Sequence, residues 1–398
     1  MEYLIIDVVF FYFAYQFDLS RYNKSSKNNF IYYLEAIVLS LFYGLRYHVG
    51  GDSFLYEADF ADLPKLHELG SQNWNYLTYQ PGWYVLNALI KSVLDEFWFF
   101  NIIHSAFVNI VIFWFINKYS KRRFLAAFIY CTLLSLSYCT EILRESLALC
   151  FFLLSIPYLE EKKWIKYYVL VFVAFSLHLS AIITLFIPLL YPLLSKEFRL
   201  SRLIIASFVV VIISMASSRI ISDITELFAM YGSVTTRVEF YAHATQVGLS
   251  SSDGIAGTNI SKKWLLSVAM ALLPLYLLKR AKFYNPMYFF VFNIFFILTL
   301  LSFAFGLMAS RLLNYFKFFY YIIFINMIFE YNVSKRSAVE IKQGVSIVFI
   351  YFYMVMILHW FDPADLNAQI RVYEKFYPYS SIIAPQKYPP RERHYQVN

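Results

Sequence analysis

Apolar runs recur a dozen times along this chain, and short clusters of lysine and arginine separate them. No other feature restricts the fold as strongly, because about 20 consecutive apolar residues make a membrane-crossing helix. Spans are read near 3–18, 30–46, 98–117, 124–139, 141–158, 165–178, 180–194, 201–221, 263–279, 286–306, 311–331 and 343–360. Several fall short of that length, so breaks in helix are expected there. A content of 60% apolar and 15% charged residues exceeds what a soluble domain of 398 residues needs. The expected fold is all-α, a polytopic integral membrane protein with about twelve transmembrane helices in one domain, 1–398.

Loop charge sets the orientation, since cytoplasmic loops carry the excess of lysine and arginine. Arg21, Lys24 and Lys27 mark the first inner loop, and Lys118, Lys121, Arg122 and Arg123 mark the second. Similar clusters at 162–166, 196–202, 279–282 and 335–342 mark the others. Every second loop is basic. The loop holding Asp52, Glu57, Asp59, Asp62 and Glu68 is acidic and is placed outside, as are both termini. The large outer segments are then the loops 47–97 and 222–262 and the tail 361–398. One apolar stretch, Pro81 to Leu94, would invert every later loop if it crossed the membrane. It is read as re-entrant or interfacial, with Pro81 suited to a first helical turn.

Other classes are excluded by what the charged residues and cysteines do not form. The net charge of +8 is scattered as topology signals between spans, which argues against nucleic acid as a partner. Cys131, Cys139 and Cys150 lie within apolar runs at no metal-ligand spacing, so they read as small core residues. No small-residue cleavage site follows the first run, which is expected to be retained. No phosphate-binding glycine loop, paired-histidine helix or aspartate pair for a divalent ion is present, so no cofactor and no metal are expected.

The polar residues that remain fall on one side of this topology. The stretch RYHVGGDSFLY, Arg46 to Tyr56, ends the second span on the outer side. Glu141 and Arg144 begin a span descending from that side, His178 occupies an outer turn, and Ser310 and Arg311 open another descending span. Arg219, Arg237 and His243 belong to the outer side as well. Ionisable groups at a membrane protein's lip are functional candidates, and several arginines facing one outer cavity suit a polyanion. Blander explanations compete for each. An arginine at a span end reaches headgroups, Arg144 pairs with Glu141 one turn away, and His178 satisfies a turn. Gly50 and Gly51 permit a tight turn, and Asp52 caps a helix starting at Ser53. Trp74, Tyr76, Tyr79 and Trp83 are stacking candidates for a glycan, against a simple packing role.

At these residues the sequence resembles the EpsG family of exopolysaccharide proteins, which groups with the Wzy-like O-antigen and capsule polymerases. The likeness rests on RxxVGxDxxxY, here Arg46, Val49, Gly50, Asp52 and Tyr56, on Tyr79 to Asn87, and on Arg144 to Ala148. His178 to Ala181, Ser310 to Phe316 and Tyr377 to Ser381 extend it across nearly the whole chain. Gln80 departs from the pattern, standing where an acidic residue often precedes the Pro-Gly pair.

The resemblance implies a metal-independent glycosyltransferase that joins oligosaccharide repeat units carried on undecaprenyl diphosphate. It implies a bacterial cytoplasmic membrane location, a site facing outside, membrane lipid as surroundings and a chain-length regulator as a further partner. Arg46, Arg144 and Arg311 are expected to hold the diphosphate, whose oxygens match the planar donors of arginine. Asp52 or His178 is expected to take the proton of the attacking hydroxyl, with Glu141 in reserve. Tyr56, Trp74, Tyr79, Trp83 and Arg237 are the expected glycan contacts. A lipid-linked oligosaccharide flippase and an O-antigen ligase stand as alternatives.

Overall fold

The computed structural model describes residues 2–19, 28–71, 79–199, 203–205, 209, 268, 271–279, 284–330, 361 and 370–396. The expected spans over 201–221 and 343–360 lie essentially outside these residues, as does the first part of 263–279. So do the loop 222–262, the basic clusters at 21–27, 280–282 and 335–342, and Trp74, Arg219, Arg237 and His243. By packing, the chain divides into two compact units. One comprises Met1–Asn73, Leu77–Ala181 and Ile325–Asn398, and the other Trp74–Tyr76 and Ile182–Phe324. Regular structure among the described residues is entirely helical, apart from one isolated β-bridge.

In the first unit α1 (Glu2–Ala14) continues into a π-helical turn, and α2 (Asn29–Gly44) follows. Three short elements come next: α3 (Ser53–Asp62), a 3-10 turn at Leu66–Ser71 and α4 (Pro81–Val93). Then come α5 (Phe97–Tyr119) and a bent helix made of α6 (Arg123–Tyr130), a π segment (Cys131–Ser135) and α7 (Leu136–Thr140). The pair α8 (Leu143–Glu160) and α9 (Trp164–Leu177) packs closely, as do α2 and α5. Of these, α5 and the bent helix over Arg123–Thr140 are long and apolar enough to cross a membrane, and α2 and α9 are shorter apolar helices.

The distribution of side chains is that of helices in lipid. Leu34, Ile37, Val38 and Leu41 of α2 and Ile165, Val169 and Phe172 of α9 are exposed. Asn101, His104, Ser105 and Asn109 of α5 are buried instead. Several polar atoms turned inward are paired, as a medium without water favours. Tyr130 Oη donates to Asn109 Oδ1 at 2.9 Å, Tyr32 Oη donates to Phe113 O at 2.8 Å, and Tyr43 Oη meets Ser135 Oγ at 2.9 Å. Close backbone approach also needs small residues. A Cβ on Gly44 would lie 2.9 Å from the Ile102 Cα, so α2 meets α5 through a glycine.

Pro81 to Leu94 forms a helix of its own, α4, with Pro81 in the first turn as expected. Its start is wedged against α9, where a Cβ on Gly82 would collide with Ser176. The three cysteines are free and buried.

In the second unit the expected span over 180–194 is broken into α10 (Ile182–Leu185) and α11 (Ile187–Leu194), which carries Pro188 and Pro192. Proline lacks the N–H that an unbroken helix would use. Asn293 Nδ2 closes the end of α11 by donating to Leu194 O at 2.8 Å and Lys196 O at 2.9 Å. The spans expected at 286–306 and 311–331 are helical without interruption as α12 (Pro286–Glu330). Its arms nevertheless lie side by side. Phe295 stacks on Tyr320 at 4.2 Å, whereas a straight helix would hold them roughly 37 Å apart. Ser310 and Arg311 lie within α12.

Candidate functional site

The loop after α2 is the most heavily tethered polar segment of the first unit. Gly50 takes φ +104°, and a Cβ there would come 3.0 Å from the Thr140 Cβ, so only glycine fits. The next amide, Gly51 N, donates to Glu141 Oε1 at 2.6 Å and ties the loop to the chain leading into α8. His48 has φ +51°, and its Nε2 lies 2.9 Å from Glu57 Oε2. Asp52 occupies the N-cap position of α3, but its carboxylate makes no capping bond to that helix. The capping explanation for Asp52 is therefore not what the loop uses.

Arg46 differs from its expected part. It is 1% exposed, with Nη1 donating to Tyr43 O and Nη2 to Asn101 Oδ1, both at 2.7 Å. Both terminal nitrogens are matched by the core, as a buried guanidinium requires, while Nε is buried with no hydrogen-bond partner among the described residues. In this arrangement Arg46 is buried and joins the end of α2 to α5 through Asn101. Tyr56 and Trp83 are likewise buried, packed on each other at 5.8 Å, with Trp83 edge-on to Phe100 at 5.4 Å. Their rings are core, so they offer no open stacking platform.

Arg144 behaves in the opposite way. Half-buried in the first turn of α8, it stacks its guanidinium over the Tyr79 ring, with Cζ 4.1 Å from the centroid. Tyr79 Oη in turn donates to Asp59 Oδ2 at 2.5 Å. Burial raises the Asp59 carboxyl above the ordinary carboxylate range, against the opposing pull of the Tyr79 hydroxyl and of Arg144. Burial, and then the Asp59 carboxylate, push the Tyr79 hydroxyl upward, so it remains a donor. A cation, a phenol and a basic carboxylate thus form one connected group.

Local structure explains why this group holds its shape. Lys91 reaches from α4 to the end of α3, and its Nζ donates to Phe60 O, Ala61 O and Leu63 O at 2.9, 2.6 and 2.8 Å. Carbonyls at a helix C-terminus are short of intrahelical donors, and a cation is also favoured there. The turn carrying Asp59 is fixed from outside α3. Beside Tyr79, at the start of α4, Gln80 Oε1 and Trp83 Nε1 are buried with no hydrogen-bond partner among the described residues. Such atoms are costly unless a ligand or water meets them.

Of the other expected residues, His178 caps the end of α9, and its Nδ1 pairs with Ser180 Oγ at 2.5 Å, a local turn contact. Glu141 is the Gly51 acceptor described above. Arg311 belongs to the second unit. Asp59, Lys91 and Asn101 were not singled out from the sequence. Asp59 was seen only as one acid in an acidic loop, although its place seven residues after Asp52 puts both on one side of α3. Among the described residues no group of three or more histidine, cysteine, aspartate or glutamate side chains is placed to hold a metal ion.

Fold and site together define an all-helical membrane protein in which half-exposed polar side chains gather around a stacked arginine. The model of the EpsG family matches residues 29–381, most of the chain, and the protein belongs to that family, which is associated with polysaccharide polymerases. No curated protein and no solved structure matches the chain.

Proposed function

We propose that the protein is a polymerase that joins undecaprenyl-diphosphate-linked oligosaccharide repeat units at the outer face of the bacterial cytoplasmic membrane. Its chain is taken to cross that membrane about twelve times. Family membership supports the polysaccharide role. The observation that carries the chemistry is the Asp59, Tyr79 and Arg144 group.

In the reaction a hydroxyl oxygen of the acceptor sugar attacks the anomeric carbon of the donor. The bond from that carbon to the diphosphate oxygen breaks, and the lipid diphosphate leaves with the electron pair. Arg144 receives the developing charge. Its stacking on Tyr79 holds the guanidinium plane in place while its edge stays available for phosphate oxygens. The backbone N–H groups of the first turn of α8 add to the same attraction. Preorganised donors of this kind supply on the order of 3 kcal/mol of barrier lowering each.

The attacking hydroxyl gives its proton to Asp59. A carboxylate raised above its ordinary range is a better general base near neutrality. Asp52 is the second carboxylate on α3's side of the site, while Glu141 and His178 are occupied by Gly51 and Ser180. Arg46 is left to the fold.

The test is synthesis from purified lipid-linked repeat units in reconstituted vesicles, read as a ladder of polymer lengths. Asp59→Asn keeps an acceptor for Tyr79 and removes the base, and is expected to abolish the ladder. A full ladder from Asp59→Asn would overturn the assignment of the base. A ligase would transfer glycan to another acceptor without a ladder, and a flippase would move the substrate across the bilayer unjoined.

A further inference from the structure

The C-terminal segment folds back onto the first unit. It lies against the loop after α2 although more than 300 residues separate them in sequence. Tyr47 N donates to Ser380 O at 2.9 Å and Ile382 N to Leu45 O at 2.8 Å, around an antiparallel bridge between Arg46 and Ser381. Further along, Gly50 N donates to Lys375 O at 2.8 Å. Tyr379 stacks on Phe42 at 4.4 Å and donates from Oη to Phe42 O at 2.6 Å. Each of these bonds satisfies a loop amide or carbonyl that its own helix does not reach.

Arg391, on the short helix α13 (Pro389–Gln396), is 1% exposed. Its Nη1 donates to Lys375 O at 3.0 Å and its Nη2 to Pro378 O at 3.3 Å. Lys375 O therefore accepts two bonds, one from Gly50 N and one from Arg391. The loop is held on its other side by Glu141, three residues before Arg144. A continuous set of contacts runs from Arg391 through Lys375 and Gly50–Gly51 to the start of α8.

We infer that the C-terminal segment over 370–396 is a built-in wall of the site and that Arg391 is a positioning residue. It fixes the 45–51 loop and, through Glu141, the start of α8 that carries Arg144. The coupling to activity rests on the polymerase reading above, whereas the coupling to the loop does not. Arg391 touches no reacting atom. Its neighbours Tyr388 and Glu374 hold each other at 2.7 Å and keep the segment's own fold.

The experiment measures amide exchange and polymer synthesis on the full-length protein with Arg391→Ala and Arg391→Lys. Charged hydrogen bonds to buried carbonyls are worth enough that exchange over 45–52 should rise roughly tenfold in Arg391→Ala. Exchange in α5 should stay at the wild-type rate. Turnover should fall about as much with KM for the lipid-linked donor unchanged, and Arg391→Lys should recover part of both. Unchanged exchange over 45–52 would overturn the inference. Loosened exchange with full turnover would overturn the coupling to Arg144. If α5 also loses protection in Arg391→Ala, Arg391→Lys replaces it and must loosen 45–52 with α5 intact, or the inference fails. If the wild-type protein forms no polymer, the polymerase reading falls and the exchange result still decides the role of the segment.

Discussion

Arg46 and Arg144 are the same residue type in the two best-marked polar motifs of this chain, yet their surroundings give them opposite work. Arg46 is sealed among Tyr43 and Asn101, with both terminal nitrogens donating to the core. Arg144 is half-buried and stacked flat on a tyrosine. On the proposed reading, burial with matched terminal nitrogens makes Arg46 a strut, and stacking at a half-open face makes Arg144 the diphosphate ligand. Substitution should therefore split the two cleanly between stability and turnover.

The largest expected effect is on the strut. Arg46→Ala leaves Asn101 Oδ1 and Tyr43 O buried without partners and empties the space of a long side chain. The loss should be about 3 to 5 kcal/mol of stability, read by thermal unfolding in detergent. A midpoint equal to wild type would place Arg46 with Arg144 and erase the contrast.

Gly50→Ala should be next, at about 1 to 3 kcal/mol. It forces a side chain onto φ +104° and against Thr140. The same unfolding measurement checks it, and a neutral result would mean that the loop is free to move away from Thr140.

Asp59→Asn sharpens the comparison from the side of Arg144. Raised by burial, Asp59 is ionised in the folded protein only above a pH higher than an ordinary carboxylate requires. Activity should therefore fall on acidification at a higher pH than a solvated aspartate would give. Stability has the opposite sign: a raised carboxyl favours the folded state at low pH and loses that contribution as pH rises through its folded value. Asp59→Asn should thus unfold no earlier than wild type at neutral pH while losing synthesis. Earlier unfolding would make Asp59 a structural residue.

The smallest effect belongs to Lys91→Met, which keeps the packing of the stem and removes the cap on α3. A loss of about 1 to 2 kcal/mol is expected, with turnover reduced because Asp59 sits in that helix. Unfolding and synthesis measured on one preparation would separate the two.

Much of the fold was legible in the sequence because hydropathy and charge report on local surroundings. The limits of α2, α5, α8 and α9, and the separate helix at Pro81, follow from apolar runs and one proline. The break at α10 and α11 was announced by Pro188 and Pro192 but was read as a single span. The site was harder. The burial of Arg46 depends on Asn101, 55 residues on. The choice of Asp59 depends on Tyr79 across a connection whose path no periodicity gives. The wall formed by the tail depends on pairing across the length of the chain. Residue type marked Arg46, Glu141 and Arg144 as unusual, and their partners could be read only from three-dimensional contacts.

The most direct measurement is binding of undecaprenyl diphosphate to the purified protein, compared between wild type, Arg144→Ala and Arg144→Lys. Loss of a planar donor pair to diphosphate should weaken binding roughly 10- to 100-fold in Arg144→Ala, with lysine recovering only part of it and unfolding unchanged. Wild-type affinity in Arg144→Ala would contradict the assignment of Arg144 to the diphosphate.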